Sequence, residues 1–385
     1  MKRIYMDHGA TTPLREEVLD AMLPYLKEKY GNPSSLHSFG REARKALDEA
    51  REKVAAGLGV APEEIVFTSG GTEANNLAIM GVVRGIAPIK NHIITSAVEH
   101  HAVLDTVKFL GQMGYEITIL PVDEYGMVSP RQVEEAITDR TILVSIMTAN
   151  NEIGTIMPFE EIGAVCREKG VYYHTDAVQA IGHIDFNLRE QPVDLLSLSA
   201  HKFYGPKGVG ALYVRKKTKL KQVFFGGGQE RKLRPGTENL PGIVGLGRAM
   251  ELAVADMPEK REKLIRLRDR LVEGLLQIED VRLNGHPLQR LPGNVNVSVL
   301  YVEGESLLLG LDLKGIALSS GSACTSGSLD PSHVLMAIGL DHQTAQGSLR
   351  FTLGKDNTDE EIDYTVEAVR KTVDYLRAMS PVYRK

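Results

Sequence analysis

SLSAHKFYGPKGVGALYV (Ser197–Val214) sets Lys202 directly after a run of apolar and small residues, with a Gly-Pro turn behind it. The flanking runs LLSLSA and ALYVR read as strands, and their short connection predicts an antiparallel pair. Lysine is seldom buried, because an ammonium is costly to take out of water. At a strand exit Lys202 therefore carries either a paired charge or an amine in chemical use. Lys207, inside the turn, is the competing lysine, and its place after Gly-Pro turns it to solvent.

Working back from this stretch, the β-rich runs IVFTS, HIITS, EITILPV, TILVSIM and VYYHTDA alternate with helical patterns from residue 64 onward. Together with LLSLSA and ALYVR they predict an α/β fold with a seven-stranded, mostly parallel sheet covered by helices on both faces. Past Met257 the texture changes. Leu264, Leu267, Leu271, Leu275 and Ile278 recur at helical spacing, the strand-like VRLNG, NVNVSVLY and SLRFTLG follow, and a last helix starts at Thr358. The expectation is a large domain over residues 14–256 and a smaller α+β domain from residues 1–13 and 257–385. FFGGGQERKLRPGTENLPG (residues 224–242) reads as a loop of the larger domain.

The chain has 385 residues, more than one hydrophobic core usually serves, and 43% hydrophobic with 25% charged residues suits a folded globular protein. Lys+Arg 45 against Asp+Glu 50, with no basic block, argues against nucleic acid as a partner. No apolar run is long enough to cross a bilayer, and the N-terminus does not read as a signal peptide. Two cysteines make no disulfide framework, so the reading is a reducing, cytoplasmic setting. No His/Cys/Asp/Glu grouping has metal-ligand spacing, so no metal is expected.

TSGGTEANN (Thr68–Asn76) joins a strand to a helix through two glycines and Thr72. It suits a phosphate held on a helix N-terminus, and equally a plain capped turn. In HTDAVQ, Asp176 ends an apolar strand and Gln179 stands one turn on; alone, Asp176 reads as ligand or cap. His100 and His101 lie at another strand exit. Position links these residues: Thr72, His100, Asn150, Asp176 and Lys202 all fall at the C-terminal ends of strands, the edge where open α/β sheets bind ligands. A phosphate cradle, a carboxylate for a pyridinium nitrogen, an imidazole able to stack and a lysine amine are the parts of a pyridoxal phosphate site, with Ser199 and His201 as further phosphate donors. Cys166 reads as a core thiol. Cys324, in SSGSACTSGSLDPS, has no large apolar neighbours and reads as accessible. In SLRFTLG, alternation puts Arg350 on the polar face, suited to grip a carboxylate if that face lines a cleft.

MDHGATTPL, YGNPSSLHSFG, FTSGGTEANNLAI, VEHHAVL, ANNEIGTI, HTDAVQ, SAHKFYGPKGVGALYVR, GGGQERKLRPGTEN, SSGSACTSG and LRFTLG resemble, in order and nearly end to end, the motifs of cysteine desulfurases of the iron–sulfur cluster assembly type. These are class V aminotransferases of fold type I, dependent on pyridoxal 5'-phosphate. The resemblance implies that Lys202 joins the cofactor's aldehyde, Asp176 holds the ring nitrogen protonated, Gln179 meets the phenolic oxygen, and His100 stacks and handles protons. It implies a phosphate cup of Gly71, Thr72, Ser199 and His201, completed by Thr237 of the other subunit of a homodimer. Asn150 and Arg350 match the binders of the substrate carboxylate, and Cys324 the thiol that takes sulfur from L-cysteine and passes it to an iron–sulfur scaffold or a sulfur carrier. Pro235 and Lys355 depart mildly from the motifs. A selenocysteine lyase or another class V transferase is the alternative enzyme reading, and a catalytically silent scaffold subunit the non-enzyme one.

Overall fold

The polypeptide alternates strand and helix from Ile65 to Val214, and the computed structural model, which describes residues 3–86, 90–321, 331–379 and 383, turns that alternation into a wound sheet. A short N-terminal strand β1 (Ile4–Tyr5) is followed by β2 (Ile65–Thr68), β3 (His92–Ser96), β4 (Glu116–Leu120) and β5 (Thr141–Ser145). Next come β6 (Tyr172–Asp176), β7 (Leu195–Ser199) and β8 (Gly210–Val214). Strands β2 to β8 form a seven-stranded sheet in the order β2-β8-β7-β6-β5-β3-β4. Only β8 runs against its neighbours, pairing antiparallel with both β7 and β2, as the short Gly-Pro connection requires.

Alternation along each strand divides the side chains between two cores. Ile65 and Phe67 point to one face and Val66 to the other; Tyr213 and Leu212 divide likewise. The Gly71–Ile86 and His101–Gln112 helices cover the face of Val66, whereas Ser38–Leu58, Phe159–Glu168 and Leu240–Ala255 cover the opposite one. Burial on both faces is what makes these strands read as continuous apolar runs. Residues 224–239 form the expected loop, but its tail is helical: Asn239 caps the Leu240–Ala255 helix by accepting from Gly242 N.

A second, antiparallel sheet is built from β9 (Val281–Asn284), β10 (Asn294–Val299), β12 (Ser319–Ser320) and β13 (Ser348–Thr352), while β11 (Ile316–Ala317) pairs with β1. Leu349 and Phe351 join a separate core with Leu264, Leu267, Leu271, Val369 and Val373 from the Met257–Leu276 and Asp359–Met379 helices. The opposite, polar face carries Asn296, Ser298, Ser348 and Arg350 and is turned toward the segment after β5, where Asn294 and Asn296 donate to Glu152 O. Val334, Leu335 and Ile338 pack on the core of the larger sheet instead.

Between the two sheets runs the N-terminal arm. Asp7 bridges to Thr352, Gly9 N donates to Thr352 Oγ1 at 2.6 Å, and Thr12 N donates to His201 O at 3.0 Å. The arm is thereby stitched to β13 and to the turn that carries Lys202. Among the described residues no helix is long and apolar enough to cross a membrane.

Candidate active site

The C-terminal ends of β2, β3, β5, β6 and β7 deliver the residues anticipated there. Asp176 closes β6 and is 7% exposed. Its Oδ2 accepts from Asn75 Nδ2 at 2.6 Å and its Oδ1 from Val178 N at 2.9 Å, so the buried carboxylate is held by two donors from different elements. Lys202 follows β7 in a single 3-10 turn, Ala200–Lys202, and donates from Nζ to the carbonyls of Gly9 and Ala10, the latter at 2.9 Å. Gln179 Nε2 donates to the same Gly9 carbonyl at 2.9 Å. Lys207 is exposed, as its place in the turn required.

His100 caps the His101–Gln112 helix, its Nδ1 accepting from Ala102 N at 3.0 Å, which leaves the proton of the neutral ring on Nε2. Burial lowers its pKa, the Asp176 charge opposes this, and the Lys202 charge reinforces it. These three groups thus lie within electrostatic reach of one another. Thr72 and His100 share the wall of a cavity of about 520 Å³, and Lys202 and Gln179 line a smaller one of about 30 Å³.

The Gly71–Ile86 helix starts at the second glycine, so its first N–H groups lie outside the helical hydrogen-bond ladder. A Cβ on Gly71 would stand 2.6 Å from Val178 Cγ2 and 3.7 Å from Ser199 Cβ: the turn packs too closely for any side chain. Thr72 follows it in the chain, the buried Ser199 packs against it, and His201, two residues past Ser199, has its Nδ1 3.1 Å from Thr11 Oγ1. Burial and the Lys202 charge push His201 down to about 4. A helix start without side-chain bulk at Gly71, a buried carboxylate and a lysine amine are what a pyridoxal phosphate site needs: Gly71, Thr72, Ser199 and His201 would meet the phosphate, Asp176 the ring nitrogen and Gln179 the ring oxygen.

Arg350 is 1% exposed, with Nη1 donating to Asn151 O at 3.2 Å and Nη2 to Asp7 Oδ1 at 3.1 Å. Asn150 is fully buried, and its amide serves the turn after β5: Oδ1 accepts from Glu152 N and Ile153 N, and Nδ2 donates to Val98 O. Thr237 is exposed on the 224–239 loop, and among the described residues no hydrogen bond joins its side chain to the other donors. Cys324 lies outside the described residues. Cys166 is buried, which pushes its thiol up to about 12 and confirms the core reading.

Several residues near the site escaped the sequence reading. Asn75 holds Asp176, and Asp7 holds Arg350. Glu99 is fully buried and accepts from Ser96 Oγ at 2.6 Å and Met147 N at 3.0 Å; burial, with Asp176 nearby, pushes it up to about 8. Glu73 accepts from Ser69 N and from Arg234 Nε, tying the 224–239 loop to the turn between β2 and the Gly71–Ile86 helix. Ser332 donates to Glu152, and His333 Nε2 lies 2.9 Å from Glu99 O, so the chain that follows Cys324 is anchored to both strand exits. Among the described residues no group of three or more His, Cys, Asp or Glu side chains could hold a metal.

Residues 4–365 match the family described as aminotransferase class-V. The chain is 56% identical to cysteine desulfurase IscS of Methanosarcina thermophila over 384 residues, covering 100% of this chain and 95% of that protein. A solved NifS-like protein superposes with a TM-score of 0.92 at 42% identity, covering 97% of this chain and 100% of the other. SspA in complex with cysteine gives a TM-score of 0.82 at 38% identity, over 93% of this chain and 100% of that one. The chain belongs to the class V aminotransferases, among the cysteine desulfurases of that family.

Proposed function

We infer that this protein is a pyridoxal-phosphate-dependent cysteine desulfurase, and propose that it moves the sulfur of L-cysteine onto Cys324 as a persulfide and releases L-alanine. The observation that carries the reading is a lysine amine and a buried, doubly held carboxylate at the exits of β7 and β6, together with a buried arginine on the polar face of β13 that is tied through Asp7 to the same N-terminal arm as Lys202. When bound, pyridoxal phosphate supplies an electron-accepting ring that stabilises negative charge at the substrate's α-carbon. Asp176, fixed by Asn75 and Val178 N, is the carboxylate that would face the ring nitrogen and favour its protonated form. Lys202 would hold the cofactor through its amine, and the same amine, when free, would move the substrate's α-proton; the Gly9 and Ala10 carbonyls receive its N–H groups. His100, neutral and bearing its proton on Nε2, would lie against the ring and pass protons.

Arg350 orients the substrate carboxylate, and Asn150 assists by building the turn whose Asn151 carbonyl orients Arg350. The thiolate of Cys324 attacks the substrate sulfur: the S–S bond forms, the C–S bond breaks, and its electron pair leaves with the carbon fragment, which is protonated to alanine. With Cys166 sealed in the core, Cys324 is the cysteine available to this step.

We propose a homodimer in which Thr237 completes the partner's phosphate cup. Its support is the exposed apolar surface of Leu36 and Phe225, 91% and 71% exposed, with the Tyr30 and Phe39 rings 5.8 Å apart. The proposed division of the chain into residues 14–256 and residues 1–13 with 257–385 draws on the separate cores, interlocked by the arm and by Val334 and Leu335. An iron–sulfur scaffold or a sulfur carrier is the proposed acceptor, and the cytoplasm the proposed setting, where the thiol stays reduced between turnovers. Mass spectrometry after incubation with L-cysteine tests the assignment. The expected result is one added sulfur on Cys324, lost in Cys324→Ser, with borohydride fixing the cofactor on Lys202; sulfur on neither cysteine overturns it.

A further inference from the structure

Arg350 is a buried cation whose hydrogen bonds are unevenly spent. Nη1 is held by Asn151 O and Nη2 by Asp7 Oδ1, while Nε is buried and, among the described residues, has no partner. A carboxylate received in the two-bond manner takes two parallel N–H groups of the guanidinium, and the edge that holds Nε shares Nη2. That Nη2 belongs to Asp7. The Asp7 side chain reaches solvent, being 18% exposed against 1% for Arg350. Its backbone is pinned by the bridge to Thr352 and by His8 N donating to Thr352 O, so only its side chain is free to turn away. Glu152, the other carboxyl in electrostatic reach of Arg350, is buried and engaged by Ser332 Oγ.

We propose that Asp7 is a built-in competitor of the substrate carboxylate: it neutralises Arg350 in the free protein and yields Nη2 when the ligand's carboxylate arrives. The proposal rests on the reading of Arg350 as the receiver of that carboxylate. An unpaired arginine at this depth is strongly destabilising, so a removable counter-ion keeps the site folded and charged while it waits. The same ion pair opposes binding. Asp7 therefore sets a threshold that only a carboxylate-bearing amine able to take both Nε and Nη2 crosses, and it contributes to selectivity without touching the reacting atoms.

The experiment titrates the cofactor-loaded protein with L-alanine, which carries the carboxylate but no sulfur, and with ethylamine, which carries neither. Binding is read from the cofactor's visible absorption and by calorimetry. Asp7→Asn is expected to bind L-alanine about tenfold more tightly, the worth of one charge-assisted hydrogen bond, with ethylamine unchanged. Asp7→Ser, whose side chain is too short to reach Nη2, is expected to do the same and serves if the first variant does not fold. Arg350→Gln is expected to weaken L-alanine alone. If both Asp7 variants bind L-alanine more weakly, Asp7 orients Arg350 rather than competing and the proposal fails while the reading of Arg350 stands. If Arg350→Gln leaves L-alanine binding unchanged, that reading fails and the proposal with it.

Discussion

Asn75 Nδ2 donates to Asp176 Oδ2 across 2.6 Å, joining the second turn of the Gly71–Ile86 helix to the end of β6. One side chain therefore fixes both where the carboxylate sits and how the helix start lies against it. Asn75 is 1% exposed, so no water replaces the bond when it is cut.

Asn75→Ala is expected to lower cofactor affinity about tenfold, in line with a hydrogen bond to a charged group. Asn75→Asp is expected to lower it further, because a second carboxylate then faces Asp176 and one of the two takes up a proton. Retained absorbance after dialysis measures both. Equal losses would show that the missing donor accounts for the whole effect and that no charge repulsion adds to it.

Gly71→Ala tests the cup. A methyl group 2.6 Å from Val178 Cγ2 forces the turn outward and moves the N–H groups proposed to meet the phosphate. Cofactor affinity is expected to fall about tenfold or more, even though alanine is the better helix former. Val178→Ala removes the obstructing carbon and leaves Val178 N on Asp176, so the double variant is expected to recover most of the affinity. A double variant no better than Gly71→Ala excludes the clash as the cause.

Lys202, Asp176, His100 and Thr72 were legible because each sits at a strand exit, and strand exits follow from local alternation. The antiparallel β8 was legible from the length of its connection to β7. Asn75 and Asp7 were not. Asn75 reads as one more polar residue on a helix, and its meaning comes from Asp176, 101 positions away. Asp7 reads as part of an arm, and its partner Arg350 is 343 positions on. The resemblance placed Asn150 among the carboxylate binders, yet its amide is spent on the turn after β5, a use that only the packed loop reveals.

Glu230 anchors the 224–239 loop from an unusual backbone, its φ of 45° followed by 55° at Arg231 and 67° at Lys232. Both its oxygens receive Arg51, at 2.6 and 2.9 Å, and Oε2 also accepts from Phe67 N at 2.8 Å. Glu230→Ala leaves a buried guanidinium without its carboxylate and is expected to cost about 3–5 kcal/mol. Replacing both partners, Arg51→Met with Glu230→Leu, is expected to recover much of that loss. Thermal melting of the three proteins checks the order; a double variant as unstable as the single would place the penalty in the loop backbone instead.

Glu99 gives the fold a pH dependence whose sign can be worked out. In the folded chain its pKa is pushed from 4.5 to about 8 by burial, with Asp176 adding to the rise. The unfolded chain releases the same proton near the ordinary 4.5. Between these values the folded state binds the extra proton, so stability is full below 4.5 and falls as pH rises toward 8. His174 and His201, pushed from 6.5 down to about 3 and about 4, act the other way and lose stability as pH drops below 6.5. Glu99→Gln keeps the shape and acceptor of the neutral carboxyl and removes only the first effect. Its melting temperature relative to the parent is therefore expected to climb by a few degrees between about pH 5 and about pH 8, and to level off above. A difference that stays flat across that range would mean that Glu99 is already ionised in the fold, with Ser96 Oγ and Met147 N sufficient to hold its charge.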